Sequence, residues 1–303
     1  MRVLKPWLML GFINWKVRCY MVKVLQPGFY SSIQDLGRYG YQNYGVPLSG
    51  VMDRYASTIA NTLLGNTSDS PVLEITMAGP ILEFCTSTLI CISGANMEPA
   101  LNKTPIQNNK ALEVKRGDVL SFGKLNCGFR AYLAVLGGFQ TASVMGSFSM
   151  YQGITNQISI GKGDELTIHS IPSPAKKRHA VMRVNNDYLK ANSLGVFKGP
   201  EFDLLSEEQQ KALWSTTFTV SKYNNRMAYQ LEEPLENTLA PIITSLVLPG
   251  TVQLTPSGQL IILMRDCQTT GGYPRILQLK ASAIDVLSQK FAGNSINFKL
   301  RNI

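Results

Sequence analysis

Apolar residues along the chain fall in short runs, at 22–25, 72–75, 89–92, 119–122, 131–135, 166–168, 218–220, 260–264, 276–279 and 296–300. Gly, Pro, Asn and Asp separate them at spacings that suit barrels or sandwiches, not βαβ units. The pattern predicts a mostly β protein with a few short helices. Residues 52–64 are the clearest helix, with Met52, Ala56, Ile59, Ala60, Leu63 and Leu64 on one face, Asp53 in the first turn and Gly65 as the stop. Ser206-Glu207-Glu208-Gln209 reads as a capping box opening a second helix to Trp214, and Ser282 is expected to cap a third running through Gln289.

Three segments rhyme: Arg116-Gly117-Asp118-Val119, Lys162-Gly163-Asp164-Glu165 and Ala292-Gly293-Asn294-Ser295. In each, Gly followed by Asp or Asn offers a positive φ and a side-chain-capped turn before an alternating strand. The same hairpin device is therefore expected in both halves. Between them, Ile171-Pro172-Ser173-Pro174-Ala175-Lys176-Lys177-Arg178 carries two prolines and a charge run without apolar periodicity. It places a linker at 171–192, a first domain at 21–170 and a second at 193–303.

A length of 303 residues with 45% hydrophobic content suits two cores. The formal charge of +9 does not imply a nucleic-acid partner. Arg2, Lys5, Lys16 and Arg18 supply four of the charges before the first strand, and the run at 176–178 has no interleaved aromatics. Cys19, Cys85, Cys91, Cys127 and Cys267 are an odd set without a C-x-x-C pair, which argues against a disulfide framework and a zinc site and fits a cytoplasmic chain. No apolar run approaches the ~20 residues a membrane span needs. Residues 1–20 lack the small-residue cleavage site of a signal peptide, and are expected to be a non-native or disordered extension ahead of Met21.

Absences narrow the chemistry. The two histidines, His169 and His179, lie at the linker, so neither a Ser-His-Asp triad nor a histidine metal site is expected. No phosphate-cradling glycine loop is present. Two polar, glycine-punctuated segments remain. Gln34-Asp35-Leu36-Gly37-Arg38 leads through Gly45-Val46-Pro47-Leu48-Ser49-Gly50 to the start of the 52–64 helix, where backbone N–H groups and the dipole favour an anion and Arg38 adds a bidentate clamp. The bland alternative is that Asp35 and Arg38 pair to brace the loop. The second segment, Gln268-Thr269-Thr270-Gly271-Gly272-Tyr273-Pro274, follows an apolar strand and offers hydroxyls, an amide and a glycine nest for an oxyanion.

Together these pieces resemble the family of the 5-oxoprolinase C-component, allophanate hydrolase subunit 2 and the urea amidolyase-related biotin-dependent carboxyltransferases. The resemblance runs from Gln34-Asp35-Leu36-Gly37-Arg38 through Leu73-Glu74-Ile75-Thr76, Ser93-Gly94-Ala95 and Arg130-Ala131-Tyr132-Leu133-Ala134-Val135 to Pro249-Gly250-Thr251-Val252-Gln253 and the Gln268–Pro274 segment. Met227-Ala228-Tyr229-Gln230-Leu231 departs from the family's usual Met-Gly-Tyr-Arg-Leu.

The resemblance implies two cyclophilin-like β-barrel domains facing a shared cleft. It implies a 5-oxoprolinase C-component that works with a smaller homologous B-component and a separate A-component, hydrolysing 5-oxoproline to glutamate with ATP. Within it, Arg38, Thr269 and Thr270 are the expected donors to developing charge, and Asp53 or Glu74 the base. Gln34, Asp35, Ser49, Gln253, Gln268, Gly271, Gly272 and Tyr273 are the expected substrate contacts, and no metal is expected. Two alternatives come with the family. One is the carboxyltransferase component of a biotin-dependent urea carboxylase, its biotin carried by another chain; the other is a regulatory antagonist of a histidine-kinase inhibitor.

Overall fold

The computed structural model describes residues 20–169 and 182–301. Most of the expected N-terminal extension and the first part of the expected linker, through residue 181, lie outside the described residues. In the first half, one six-stranded sheet runs in the order Glu165–Thr167, Met21–Gln26, Ile81–Phe84, Val119–Ser121, Ala100–Leu101, Thr104–Pro105. A five-stranded sheet runs Tyr30–Gln34, Val72–Thr76, Cys127–Val135, Thr88–Asn96, Leu112–Val114. Val22, Val24, Ile33, Leu73, Ile75, Leu82, Phe84 and Leu133 fill a core of this half.

The five-stranded sheet is covered on its other face too. Alternation sends Leu73 and Ile75 into that core and Val72 and Glu74 to the opposite side, where helix α1 (Arg54–Leu64) packs through Ala56, Ile59, Ala60, Leu63 and Leu64. Burial on both faces explains why these strands read as nearly continuous apolar runs. Glu74 lies opposite Ser32 on one neighbouring strand and Tyr132 on the other, and Tyr132 lies opposite Ser93, so a polar row crosses the sheet. Asp53 proves to be the N-cap of α1, accepting from the Ala56 N–H at 2.9 Å, and Gly65 ends the helix at φ 75°.

The second half closes into a seven-stranded barrel in the order Ser193–Lys198, Arg275–Leu279, Thr251–Leu254, Leu260–Leu263, Ala228–Leu231, Phe218–Asn224, Ser295–Leu300. Closure depends on the parallel pairing of Ser193–Lys198 with Ser295–Leu300. The mostly β expectation holds, but closure is asymmetric: this half is a closed ladder and the first is two sheets. Helix α2 (Glu207–Ser215) has the expected capping box between Ser206 and Gln209. Helix α3 (Ala281–Ser288) starts earlier than the sequence suggests, because the backbone leaves the extended strand at Lys280, which is the N-cap instead of Ser282.

The three rhyming turns are one device. Asp118, Asp164 and Asn294 each accept with the side chain from the backbone N–H three residues earlier, at 2.7, 2.7 and 3.1 Å. The preceding Gly117, Gly163 and Gly293 all have φ between 86° and 90°. Residues 182–192 run on to the second half through a short turn at Asp187–Leu189, with Leu189 buried. The core of the second half includes one residue of the first, Met52, which is wholly buried and shares one apolar cluster with Leu194, Val196 and Phe202. Among the described residues no helix is long and apolar enough to cross a membrane, and Cys85, Cys91, Cys127 and Cys267 are all unpaired.

Candidate functional site

The two halves meet along a buried polar seam whose centre is Arg226, just before the strand Ala228–Leu231. Its guanidinium donates to Glu74 Oε1, to Asp266 Oδ2 at 2.8 Å and Oδ1 at 3.1 Å, to the Gly50 carbonyl at 2.6 Å and to Gln34 Oε1 at 3.2 Å. Glu74 also accepts from the Met52 N–H at 2.7 Å and the Tyr132 hydroxyl at 2.9 Å. Burial alone lowers the Arg226 pKa, but the charges of Asp266 and Glu74 outweigh it and the net shift is upward. Gly50 is required here. It holds φ 91°, and a Cβ would stand 2.8 Å from the Gly37 nitrogen and the Leu36 carbonyl carbon.

A second cluster forms around Asp53. Its Oδ2 accepts from Tyr188 Oη and Gln289 Nε2, both at 2.7 Å. Gln289 reaches back across the seam, accepting from the Phe129 and Arg130 N–H groups and donating to the Arg130 carbonyl. Arg130 in turn donates to Tyr229 Oη at 2.7 Å and the Ser288 carbonyl at 2.6 Å. Burial raises the Asp53 pKa; the three hydrogen bonds it accepts pull the other way without cancelling it. Burial and the Asp53 charge also raise the pKa of Tyr188, so its hydroxyl stays a donor.

The expected residues divide between two environments. Gln34, Ser49, Asp53, Glu74 and Arg38 are all sealed from solvent. Asp35 and Arg38 do not pair with each other. Asp35 accepts from Gly37 and Phe148 N–H groups and from Ser147 and Ser149 hydroxyls, while Arg38 donates to the Val144 and Ser149 carbonyls. Both therefore fasten the Gln34–Asp53 loop to the 144–149 segment, and among the described residues Arg38 Nη1 and Ser49 Oγ are left buried without a partner.

Thr269, Thr270, Gly272 and Tyr273 lie nearer the surface. Thr270–Gly271 pairs with Ser245–Leu246 as a short ribbon, and neither Gly271 nor Gly272 adopts the positive φ expected of a nest. A Cβ at Gly271 would stand 2.5 Å from Nε2 of the Gln253 side chain, which would have to shift to admit it. Gln268 turns inward, its Oε1 buried with no hydrogen-bond partner among the described residues. The Gln34–Asp53 loop touches the chain just ahead of the second segment, where the Ser49 N–H donates to the Arg265 carbonyl at 2.9 Å. A groove of about 430 Å³ lies elsewhere, between the first half and residues 186–190, with Asn96, Asn108, Cys127, Asn186 and Lys190 in its walls. None of the expected site residues lines it.

Sequence reasoning missed Arg226, Arg130, Tyr188, Arg265, Asp285 and Gln289. A lone arginine flanking an apolar strand in a sparsely charged chain was the available signal for Arg226. Its carboxylate partners, at 74 and 266, are too distant in sequence for any local pattern to reveal.

Fold and seam define a two-unit β protein whose halves share one continuous polar interface. Residues 44–300 match the carboxyltransferase domain family, subdomains A and B, and the chain belongs to that family. The 5-oxoprolinase C-component of Escherichia coli is 33% identical over 285 residues, spanning 92% of this chain and 90% of that protein. Urea amidolyase of Lachancea kluyveri is 36% identical over 231 residues, which is 70% of this chain but 12% of that protein. The crystal structure of the K. lactis urea amidolyase superposes with a TM-score of 0.82 at 30% identity, covering 94% of this chain and 19% of its own. Another crystal structure, at 26% identity and a TM-score of 0.83, covers 93% of this chain and 56% of its own.

Proposed function

We propose that the chain is the C-component of an ATP-dependent 5-oxoprolinase, hydrolysing 5-oxo-L-proline to L-glutamate together with homologues of the enzyme's A- and B-components. The observation that carries this reading is reciprocal coverage: this chain and the Escherichia coli 5-oxoprolinase C-component span 92% and 90% of each other. The urea amidolyase of Lachancea kluyveri is a much longer protein, of which the match covers 12%.

A five-membered lactam is stable, and ATP activates it by phosphorylating its carbonyl oxygen. ATP is a co-substrate of the whole complex in this reading, and this chain carries no phosphate-cradling loop of its own. Charge developing on the reacting oxygens is met by the Thr269 and Thr270 hydroxyls, which lie near the surface of this chain. Asp53 is the base that directs water, its raised pKa suiting proton transfer, and Tyr188, which covers its Oδ2, has to move for water to reach it. Glu74 and Arg38 hold the loop that presents Asp53. The site is cytoplasmic in this reading, and the complex is a hetero-oligomer.

The test is reconstitution with the A- and B-component homologues. ATP hydrolysis that depends on 5-oxoproline and on this chain is expected, with Asp53→Asn lowering kcat far more than it raises KM. Turnover by the other components without this chain overturns the reading. The 36% identity to a urea amidolyase favours a second reading, a carboxyltransferase component supplied with carboxybiotin by a separate carrier. Retention of this chain on avidin through a biotinylated partner, with urea-dependent carboxylation, selects it.

A further inference from the structure

Two arginines meet at one edge of the seam with donors left over. Arg54 opens α1, and its Nη2 donates to the Leu36 carbonyl at 3.0 Å and to Tyr39 Oη at 2.7 Å. Its Nε is buried without an acceptor among the described residues. Arg265 is only 4% exposed, and both its Nε and its Nη2 are buried with no hydrogen-bond partner among the described residues. Asp285 Oδ1 stands 3.8 Å from that Nη2, too far for a hydrogen bond, and already accepts from the Arg54 backbone N–H at 2.9 Å.

A buried guanidinium without acceptors is costly, and native proteins satisfy nearly all such groups. Neighbouring charge adds to the cost: burial first, then the charge of Arg54, push the Arg265 pKa down to about 10. The unfilled Nε and Nη2 form the edge of the guanidinium fork that matches the two oxygens of a carboxylate. The start of α1 lies beside it; there the Arg54 N–H is taken by Asp285 and the Ala56 N–H by Asp53, so the helix contributes its dipole. Asp285 shows that a carboxylate is accepted at that helix start. Its own carboxyl is raised to about 7, by burial and then by the Asp53 charge, which weakens the negative charge an incoming anion meets there.

We propose that Arg265, with Arg54 and the first turn of α1, forms a binding site for a small carboxylate, entered from the side of the exposed Tyr39. The ligand spans the Nε–Nη2 edge of Arg265 and takes the free Nε–H of Arg54. The site stands apart from the 5-oxoprolinase reading, because ligand binding there is read without turnover.

The test is calorimetry and thermal melting of the full chain in sodium acetate against sodium chloride at matched ionic strength, with sodium sulfate as a third arm. A saturable, acetate-specific rise in Tm is expected for the natural chain, with acetate bound at least about tenfold more weakly by Arg265→Met, the loss of a charge-assisted pair. In chloride alone Arg265→Met is expected to melt no lower than the natural chain, since it removes a buried charge whose one carboxylate neighbour, Asp285, stands beyond hydrogen-bond range. Equal acetate responses in the two proteins, or none in either, overturn the proposal and leave ordered water as the partner of Arg265. Tighter binding of sulfate with the same dependence on Arg265 overturns the carboxylate assignment.

Discussion

Arg226 and Arg265 stand at two places on the same seam, are similarly buried, and are treated in opposite ways. Arg226 is surrounded by acceptors from both halves, and the charges of Asp266 and Glu74 raise its pKa. Arg265 has a single carboxylate in range, at 3.8 Å, shares its surroundings with Arg54, and its pKa falls to about 10. The first arrangement is a lock, in which Glu74 of the first half and Asp266 of the second answer the same guanidinium. The second leaves donors open, which is how a ligand site differs from a structural ion pair built of the same residue type.

The largest expected effect comes from breaking the lock. Arg226→Met strands the Glu74 and Asp266 carboxylates in a dry interface, and urea denaturation should show a loss of about 3–5 kcal/mol. Adding Glu74→Gln and Asp266→Asn to that variant should restore part of the loss, since no buried charge then lacks its partner. Complete lack of recovery would mean that packing, and not charge, holds this end of the seam.

The open end should respond to pH instead. Burial and then the Asp53 charge push the Asp285 carboxyl up to about 7 in the folded chain, against about 4 when unfolded, so between those values the folded state holds the extra proton. Stability contributed by the protonated carboxyl is therefore complete below about pH 4 and declines as pH rises toward 7. Asp285→Asn keeps an acceptor for the Arg54 N–H and should flatten that decline in urea midpoints measured from pH 4.5 to 7.5. An unchanged slope would shift the proton to Asp53, the neighbouring carboxylate. Arg54 and Arg265 are the cations facing this group.

The smallest effect should come from a site remote from both ends. Ser206→Ala removes one half of the α2 capping box and is expected to cost about 1 kcal/mol by thermal melting, with no change in the pH slope or in the acetate response. A change in either would show that the barrel and the seam are coupled more tightly than their hydrogen bonds suggest.

What the sequence made legible was local. Helix α1 was readable because its apolar stripe, the acid at 53 and the glycine at 65 all lie within a dozen or so residues. The three Gly-Asp or Gly-Asn turns were readable for the same reason. The start of α3 was misplaced because Ser282 is a good cap by type, whereas the actual boundary is set where the strand Arg275–Leu279 releases the chain. Barrel closure was expected from the family resemblance but not from any local pattern, since it rests on a parallel pairing between residues about a hundred positions apart. The seam was half legible: Gln34, Asp53 and Glu74 stood out as polar residues in apolar or glycine-rich settings, but Arg226, Arg130 and Gln289 acquire meaning only through acceptors far along the chain. Arg38 showed the converse, an arginine in a motif suited to anion binding that the fold uses chiefly to fasten a loop.

Met52 carries a consequence of its own. Its side chain belongs by sequence to the first half and by packing to the apolar cluster of the barrel. A gene cut within the 182–192 stretch would thus yield a C-terminal fragment with a hole at its centre and an N-terminal fragment with a greasy peg exposed. Such fragments should recover a native assembly only when mixed, so evolution of the two halves as separately inherited modules would first require that peg to be replaced.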